Sequence, residues 1–324
     1  MASKAGKNTH LEHVEDEVLN SGADGGKKAI EILDELGKYL TGLGGPGMSI
    51  TTEWDGAPAI VFGTNPENDQ FFVGTKSVFN KRKVKICYSY SDIDELYKGD
   101  VADILRLCFK HLPRISGIVQ ADWIGVGGGR VYRPNVVEYR FPTQVSGDIL
   151  LAPHTTYTEV SPDAVGVGNI NLGSELGATF LGTVDCSAFI VDLPDFRWRD
   201  FIIETMRSQV PSEKARPFIQ KHINKYIREG HIPSAKILLR SLPDKYKGEV
   251  NIHTFKAWHM ISQLKQRLLD NIVVSGNIET YIDGKPSQHE GFVVQGETPY
   301  KLVDRLTFSK ANFNLSKYWT NEKV

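Results

Sequence analysis

Strand-like sequence lies on both sides of a long helical block in this chain, and that order limits the folds open to it. From Met48 the apolar period is two residues, through "SITTEWDGAPAIVFG", "QFFVGTKSVFN", "SGIVQADWIG", "NVVEYRFP" and "DILLAPHTTY". From Asp195 to Asn271 the pattern turns helical and basic, as in "ARPFIQKHINKYIREG" and "FKAWHMISQLKQRLLDNI". Strand-like sequence then resumes in "HEGFVVQGETPYKLVDRLTFSKANF". The late strands must rejoin the early ones, which predicts an α+β fold of antiparallel sheets, flanking helices and a helical insertion. The expected divisions are residues 1–194, 195–275 and 276–324. Ahead of the first strands, "LEHVEDEVLNSG" and "GGKKAIEILDELGKYLTG" read as two helices. "SDIDELYKGDVADILRLCFKHL" reads as another, with Ser91 or Asp92 as its N-cap.

At 324 residues, 40% of them hydrophobic, the chain has enough apolar side chains for a substantial core. A net charge of −1 excludes a global attraction to nucleic acid or anionic membrane, so any basic surface is local. Two local candidates exist: "NKRKVK", and the helical block, where Lys214, Lys221, Lys225, Arg240 and Lys245 are interleaved with Trp198, Phe218 and Tyr226. Cys87, Cys108 and Cys186 form no CxxC pair, which points to a reducing compartment. No run of about 18 apolar residues and no secretory leader is present, so an intracellular protein without a membrane span is expected.

Two local motifs have ordinary readings. "HLEHVED" puts His10, His13 and Asp16 or Glu17 within two helical turns, but lacks the His-Glu-x-x-His of zinc proteases, and a surface helix against the sheet is expected. "GVGGGR" lacks the phosphate-loop spacing and reads as a loop between strands.

Four short pieces bear on chemistry: "EWDG" (Glu53, Trp54, Asp55, Gly56), "VGTKS" with Lys76, "HEGFVV" with Glu290, and "YKLVDRLTFSK" with Lys301 and Lys310. Singly, each reads as a turn or a solvated strand residue. In this order they resemble the covalent nucleotidyltransferase superfamily of ATP-dependent DNA and RNA ligases and mRNA capping enzymes. That family carries Lys-x-Asp-Gly, then Glu-Gly before apolar residues, then lysines. "ADWIG" resembles a further segment, with Asp122 on the ribose side. The resemblance extends to ligase-like proteins of tailed bacteriophages, through "HLEHVEDE", "WDGAPAIVFG", "FFVGTKSVFNK" and "HTTY".

The resemblance implies a ligase-like fold, ATP and Mg²⁺ as cofactors, nucleic-acid ends (DNA or RNA) as partners, and the cytoplasm of a phage host. By it, Trp54, Asp55 and Gly56 shape the nucleotide pocket and Lys76 meets the acceptor or a phosphate. Glu290 holds the metal, Lys301 contacts the α-phosphate, and Tyr139 or Tyr157 stacks on the base. Lys310 departs from the family's close Lys-x-Lys spacing. The larger departure is Glu53, which stands where the family has its nucleophilic lysine. An acid there cannot form the lysyl phosphoramidate. Three readings remain: a ligase-like enzyme altered at this step, a binding protein without chemistry, or a structural protein with a vestigial pocket.

Overall fold

A computed structural model describes residues 13–42, 49–168, 172, 177–182, 186–188, 197–274, 277–295 and 300–314. A 3-10 turn at Val14–Asp16 leads into α1 (Glu17–Leu40). Strands β1 (Ser49–Glu53), β2 (Ala59–Asn65) and β3 (Gln70–Thr75) run through a second 3-10 turn, Lys76–Phe79, to α2 (Tyr90–Leu96) and α3 (Gly99–His111). Next come β4 (Ile118–Val126), β5 (Val131–Tyr132), β6 (Val137–Arg140), β7 (Ile149–Tyr157), β8 (Val167–Gly168), β9 (Ala178–Phe180) and β10 (Cys186–Ala188). The helical block comprises α4 (Trp198–Met206), α5 (Arg216–Arg228), α6 (Ala235–Ser241), α7 (Asp244–Lys247) and α8 (Ile252–Leu269). It is followed by β11 (Ile272–Val274), β12 (Glu279–Ile282), β13 (Lys285–Ser287), β14 (Gly291–Gln295), β15 (Tyr300–Val303) and α9 (Arg305–Asn314). The fold is α+β: antiparallel sheets with flanking helices.

Period-two alternation builds the central sheet, ordered β3-β2-β4-β7-β8, with β9 added parallel to β7. One face presents Ile60, Phe62, Val119, Ala121 and Trp123 to Ile93 of α2 and Leu105 and Cys108 of α3. The other face alternates between them. Its Ile124, Leu150 and Ala152 share a core with Trp54 and with Val137 and Tyr139 of a second sheet, ordered β13-β12-β6-β5. The period-two pattern also puts Gln120 and Asp122 on that second face, a polar interruption in an apolar sheet.

The helices form a separate layer. Ala29, Leu33, Leu36 and Leu40 of α1 pack with Phe255, Trp258, Ile261 and Leu264 of α8, with α5 and α6, and with Phe292 and Leu302 of β14 and β15. Each such large apolar side chain contributes about 1.5–3 kcal/mol on burial. The two helices expected ahead of β1 are one span, broken at Ser21 and Gly22, where Gly22 takes a φ of 58°.

Three local expectations are corrected. Ser89, not Ser91 or Asp92, caps α2: its Oγ accepts from Asp92 N–H at 3.2 Å, and Asp92 accepts from Tyr88 N–H at 2.8 Å. The strand-like tail turns helical after Val303, because Asp304 accepts from both the N–H (3.1 Å) and the hydroxyl (2.7 Å) of Thr307 and starts α9. The acidic end of "HLEHVED" is not on the surface. Glu15 accepts from Lys265 Nζ (2.8 Å) and Arg305 Nη1 (2.8 Å), and Asp16 accepts from Trp258 Nε1 (2.7 Å), all of them buried. Arg305 also donates to Asn224 of α5. His10 lies outside the described residues.

Candidate functional site

Strands β1, β14 and β15 form one antiparallel ladder. Glu53 pairs with Gly291, which pairs in turn with Val303; Val293 stands between Thr51 and Lys301. Glu290 immediately precedes this rung, and its carbonyl accepts from Asp304 N–H at 3.3 Å. Glu53, Glu290 and Lys301, far apart in sequence, therefore meet in one ladder. The glycine of "EGFVV" is required there, since a Cβ on Gly291 would stand 2.1 Å from the Leu302 carbonyl oxygen. Glu53 and Lys301 are described in their backbone; their side chains lie outside the described residues.

The chain after Glu53 is clamped through Asp55 to β6 of the second sheet and the residues just before it. That carboxylate is buried and accepts from Asn135 Nδ2 (2.8 Å) and Val136 N–H (3.3 Å), while Asp55 N–H donates to the Tyr139 hydroxyl (2.7 Å). Burial pushes the Asp55 carboxyl above its ordinary range; Asn135 and Val136 oppose this, and the nearby Asp122 carboxylate adds to it. Gly56 is wedged onto β4, where a Cβ would meet Asp122 Cβ at 2.7 Å and the Trp123 carbonyl at 2.8 Å. "Asp-Gly" here is thus a docking turn, not a hairpin turn. Trp54 packs edge-on against Tyr139 (4.9 Å) and His289 (5.8 Å) and parallel to Phe141 (6.3 Å).

Asp122 pairs with Ala59 on β2, beside the Ile60–Thr75 rung that Lys76 directly follows, so Lys76 and Asp122 share one end of the sheet. Lys76 is exposed. A polar strip continues from Asp122: His154 Nε2 stands 3.7 Å from its Oδ1 and 3.3 Å from Gln120 Nε2, and Tyr157 donates to Gln120 Oε1 at 2.9 Å. Tyr139 is fully buried, and Tyr157 lies against Phe79 with its hydroxyl pushed up to about 12 by burial. Lys310 is on α9, its side chain over Gly230 at the end of α5, apart from this strip. Sequence reasoning missed Asn135, Gln120, His154 and His289. Strand alternation through "IVQAD" pairs Gln120 with Asp122 on one face and was the available signal; Asn135 and His289 act through tertiary contacts alone.

His289 is buried beside a cavity of about 600 Å³, and neither ring nitrogen makes a hydrogen bond of good geometry. Burial depresses its pKa to about 4, offset in part by the Ile278 carbonyl. The unfolded imidazole takes up a proton near pH 6.5, the folded one only near 4. His289 thus leaves stability unchanged above pH 6.5 and lowers it as pH falls from 6.5 to 4, by about 3 kcal/mol in all. Urea unfolding at pH 7.5 and 4.5 should show a smaller acid loss in His289→Leu than in the wild type; equal losses would refute this.

Among the described residues, no three His, Cys, Asp or Glu side chains gather as a metal site. Burial pushes the Cys87 thiol up to about 12 and that of Cys108 higher still, so neither is poised as a thiolate. No described helix is long and apolar enough to cross a membrane. A family model described as "Family of unknown function (DUF6267)" matches residues 8–317. No curated protein and no solved structure matches the chain.

Proposed function

The chain belongs to the DUF6267 family, of unknown function, and on that premise we propose a function from its own residues. It is a polynucleotide-ligase-like nucleotidyltransferase that binds ATP and Mg²⁺ between its sheets and acts at nucleic-acid ends, with its covalent step blocked at Glu53. The observation that carries this reading is the β1–β14–β15 ladder, which aligns Glu53 with Gly291 beside Glu290 and sets Lys301 two positions along. The clamp of Asp55 by Asn135 and Val136, and the close seating of Gly56 on β4 next to Asp122, support it.

In this reading Lys301 holds the α-phosphate and Lys76 meets a second phosphate or the acceptor strand. Asp122 faces the ribose, and Tyr139 positions Asp55 through its hydroxyl. Mg²⁺ commonly keeps most of its waters and takes one or two protein carboxylates together with substrate phosphates. Glu290 alone is therefore a sufficient protein ligand, and the metal would supply charge neutralisation at the phosphates. The acceptor strand runs over the helical block. Lys221, Lys225 and Lys245 are exposed there, and Phe218, itself half exposed, stacks on Tyr246 at 5.1 Å. Such a surface suits a nucleic-acid backbone with stacked bases.

Equilibrium dialysis with ATP and Mg²⁺ tests the nucleotide half of the reading. The wild type should bind, and Lys301→Ala should bind roughly tenfold to a hundredfold more weakly, the loss of one charge-assisted contact. Gel shifts with nicked DNA and with RNA should weaken steeply between low and physiological salt. If neither ATP nor any polynucleotide binds, the reading fails.

A further inference from the structure

Helix α4 is held by one face. Phe201 and Thr205 are buried there against the bare backbone of α1: a Cβ on Gly26 would meet Thr205 Cγ2 at 2.6 Å and the Phe201 ring at 3.5 Å. Residues three and four apart share a helix face, so Ile202 and Met206, with Ile203 beside them, turn outward. They are 51%, 74% and 37% exposed. Trp198 at the start of the helix and Val210 just beyond its end are exposed as well. Five of the thirteen large apolar side chains exposed among the described residues thus fall within residues 198–210. Single exposed apolar residues are ordinary, but a contiguous group on one face marks a contact surface.

The charges on this helix say what fits there. Asp200 is paired with Arg197 (3.4 Å), and Glu204 is tied to Lys256 (2.9 Å) and His253 (2.5 Å) on the α8 side. Arg199 and Arg207 are exposed and have no ion-pair partner among the described residues. Arg199 precedes Ile202 by three positions and Arg207 follows Ile203 by four, so both guanidinium groups border the apolar face. At about 1.5 Å of rise per residue they stand about 12 Å apart along it. The complement is an apolar surface with a carboxylate at each of those two places. A second helix supplies it with acids about eight positions apart and aliphatic residues between them. A polynucleotide would meet the arginines but leave Ile202, Ile203 and Met206 in water.

We propose that the outer face of α4 docks an acidic amphipathic helix of a partner protein. The proposal stands apart from the nucleotidyltransferase reading. It uses no residue of the nucleotide site and none of the lysines assigned to the acceptor strand.

The test uses the full chain, without ATP, and two labelled synthetic helical peptides followed by fluorescence anisotropy. One carries leucine at i, i+3, i+4 and i+7 with glutamate around it; the other has lysine in place of glutamate. The acidic peptide should bind, and the basic one at least about tenfold more weakly. Met206→Asp should weaken the acidic peptide roughly tenfold or more. Arg199→Glu combined with Arg207→Glu should reverse the preference, so that the basic peptide binds more tightly. All three side chains are exposed, so both variants should melt close to the wild type. No acidic-peptide binding at millimolar concentration, equal binding of the two peptides, or an unchanged preference after charge reversal would overturn the proposal. Three rival occupants would overturn it too. Displacement of the peptide by nicked DNA would give the face to the acceptor strand. Adsorption to phosphatidylserine vesicles that Met206→Asp removes would give it to a membrane, and a concentration-dependent dimer that Met206→Asp dissolves would give it to a second copy. Whether the chain binds ATP alters none of these readouts.

Discussion

Glu53→Lys should retain label from α-labelled ATP through a denaturing gel, where the wild type should retain none on lysine. Two changes act together. At 53 a carboxylate about 4 Å from a phosphate oxygen costs about 4 kcal/mol at an effective dielectric near 20, which alone suppresses the reaction roughly a thousandfold. The substitution removes that repulsion and supplies an amine. The Nζ lone pair then forms a bond to the α-phosphorus, the bond from that phosphorus to the bridging oxygen breaks, pyrophosphate leaves, and the amine loses a proton to solvent. Register favours the trial, because residue 53 sits on the rung with Gly291, beside Glu290. The label should be lost again in Glu53→Lys combined with Lys301→Ala. A Glu53→Lys protein that binds ATP yet takes no label would show that residue 53 is not placed for in-line attack. Wild-type label sensitive to hydroxylamine would instead reveal an acyl link at Glu53.

Arg305→Met should be the most destabilising single change outside the site, at about 3–5 kcal/mol or a fall of roughly 10 °C in melting temperature. Arg305 is buried, as are Glu15, Asp16 and Lys265, and it bridges the first described turn, α5 and the start of α9. Without it two carboxylates face one ammonium in a site closed to water. Asp16 is the carboxyl that burial and the neighbouring Glu15 push upward, while Arg305 holds it down. Asp16→Asn on the Arg305→Met background should therefore regain about half of the loss, since an amide oxygen still accepts from Trp258. Denaturant midpoints decide the matter: a double variant no more stable than Arg305→Met would show that Asp16 and Arg305 are not coupled.

The helical block, the N-terminal helices and the period-two strands were legible because each rests on local spacing that burial then repeats. The antiparallel α+β class followed from the order of those segments. The meeting of "EWDG" with "EGFVV" was legible only through resemblance, since nothing local to either piece specifies its partner. What escaped was set at long range or by a single side chain. Glu15 and Asp16 look like surface acids until Lys265 and Arg305, 250 and 290 residues away from Glu15, close over them. Residues 305–314 alternate well enough for a strand, but the Asp304 cap diverts them into α9. Lys310, read as a nucleotide contact, is carried by that helix to Gly230. His289 was passed over as the neighbour of Glu290, although it is buried and lines the cavity.

The pairing of Glu53 with Gly291 has a consequence for biosynthesis. Roughly 240 residues separate the two, so this rung carries a large loop-closure cost and belongs among the last contacts to form. While a ribosome is still extending the polypeptide, the "EWDG" strand must wait, one edge unsatisfied, for a partner not yet made. Its exposure to aggregation is greatest in that interval, and chaperone dependence during translation would be the price of bringing the two ends of the chain together.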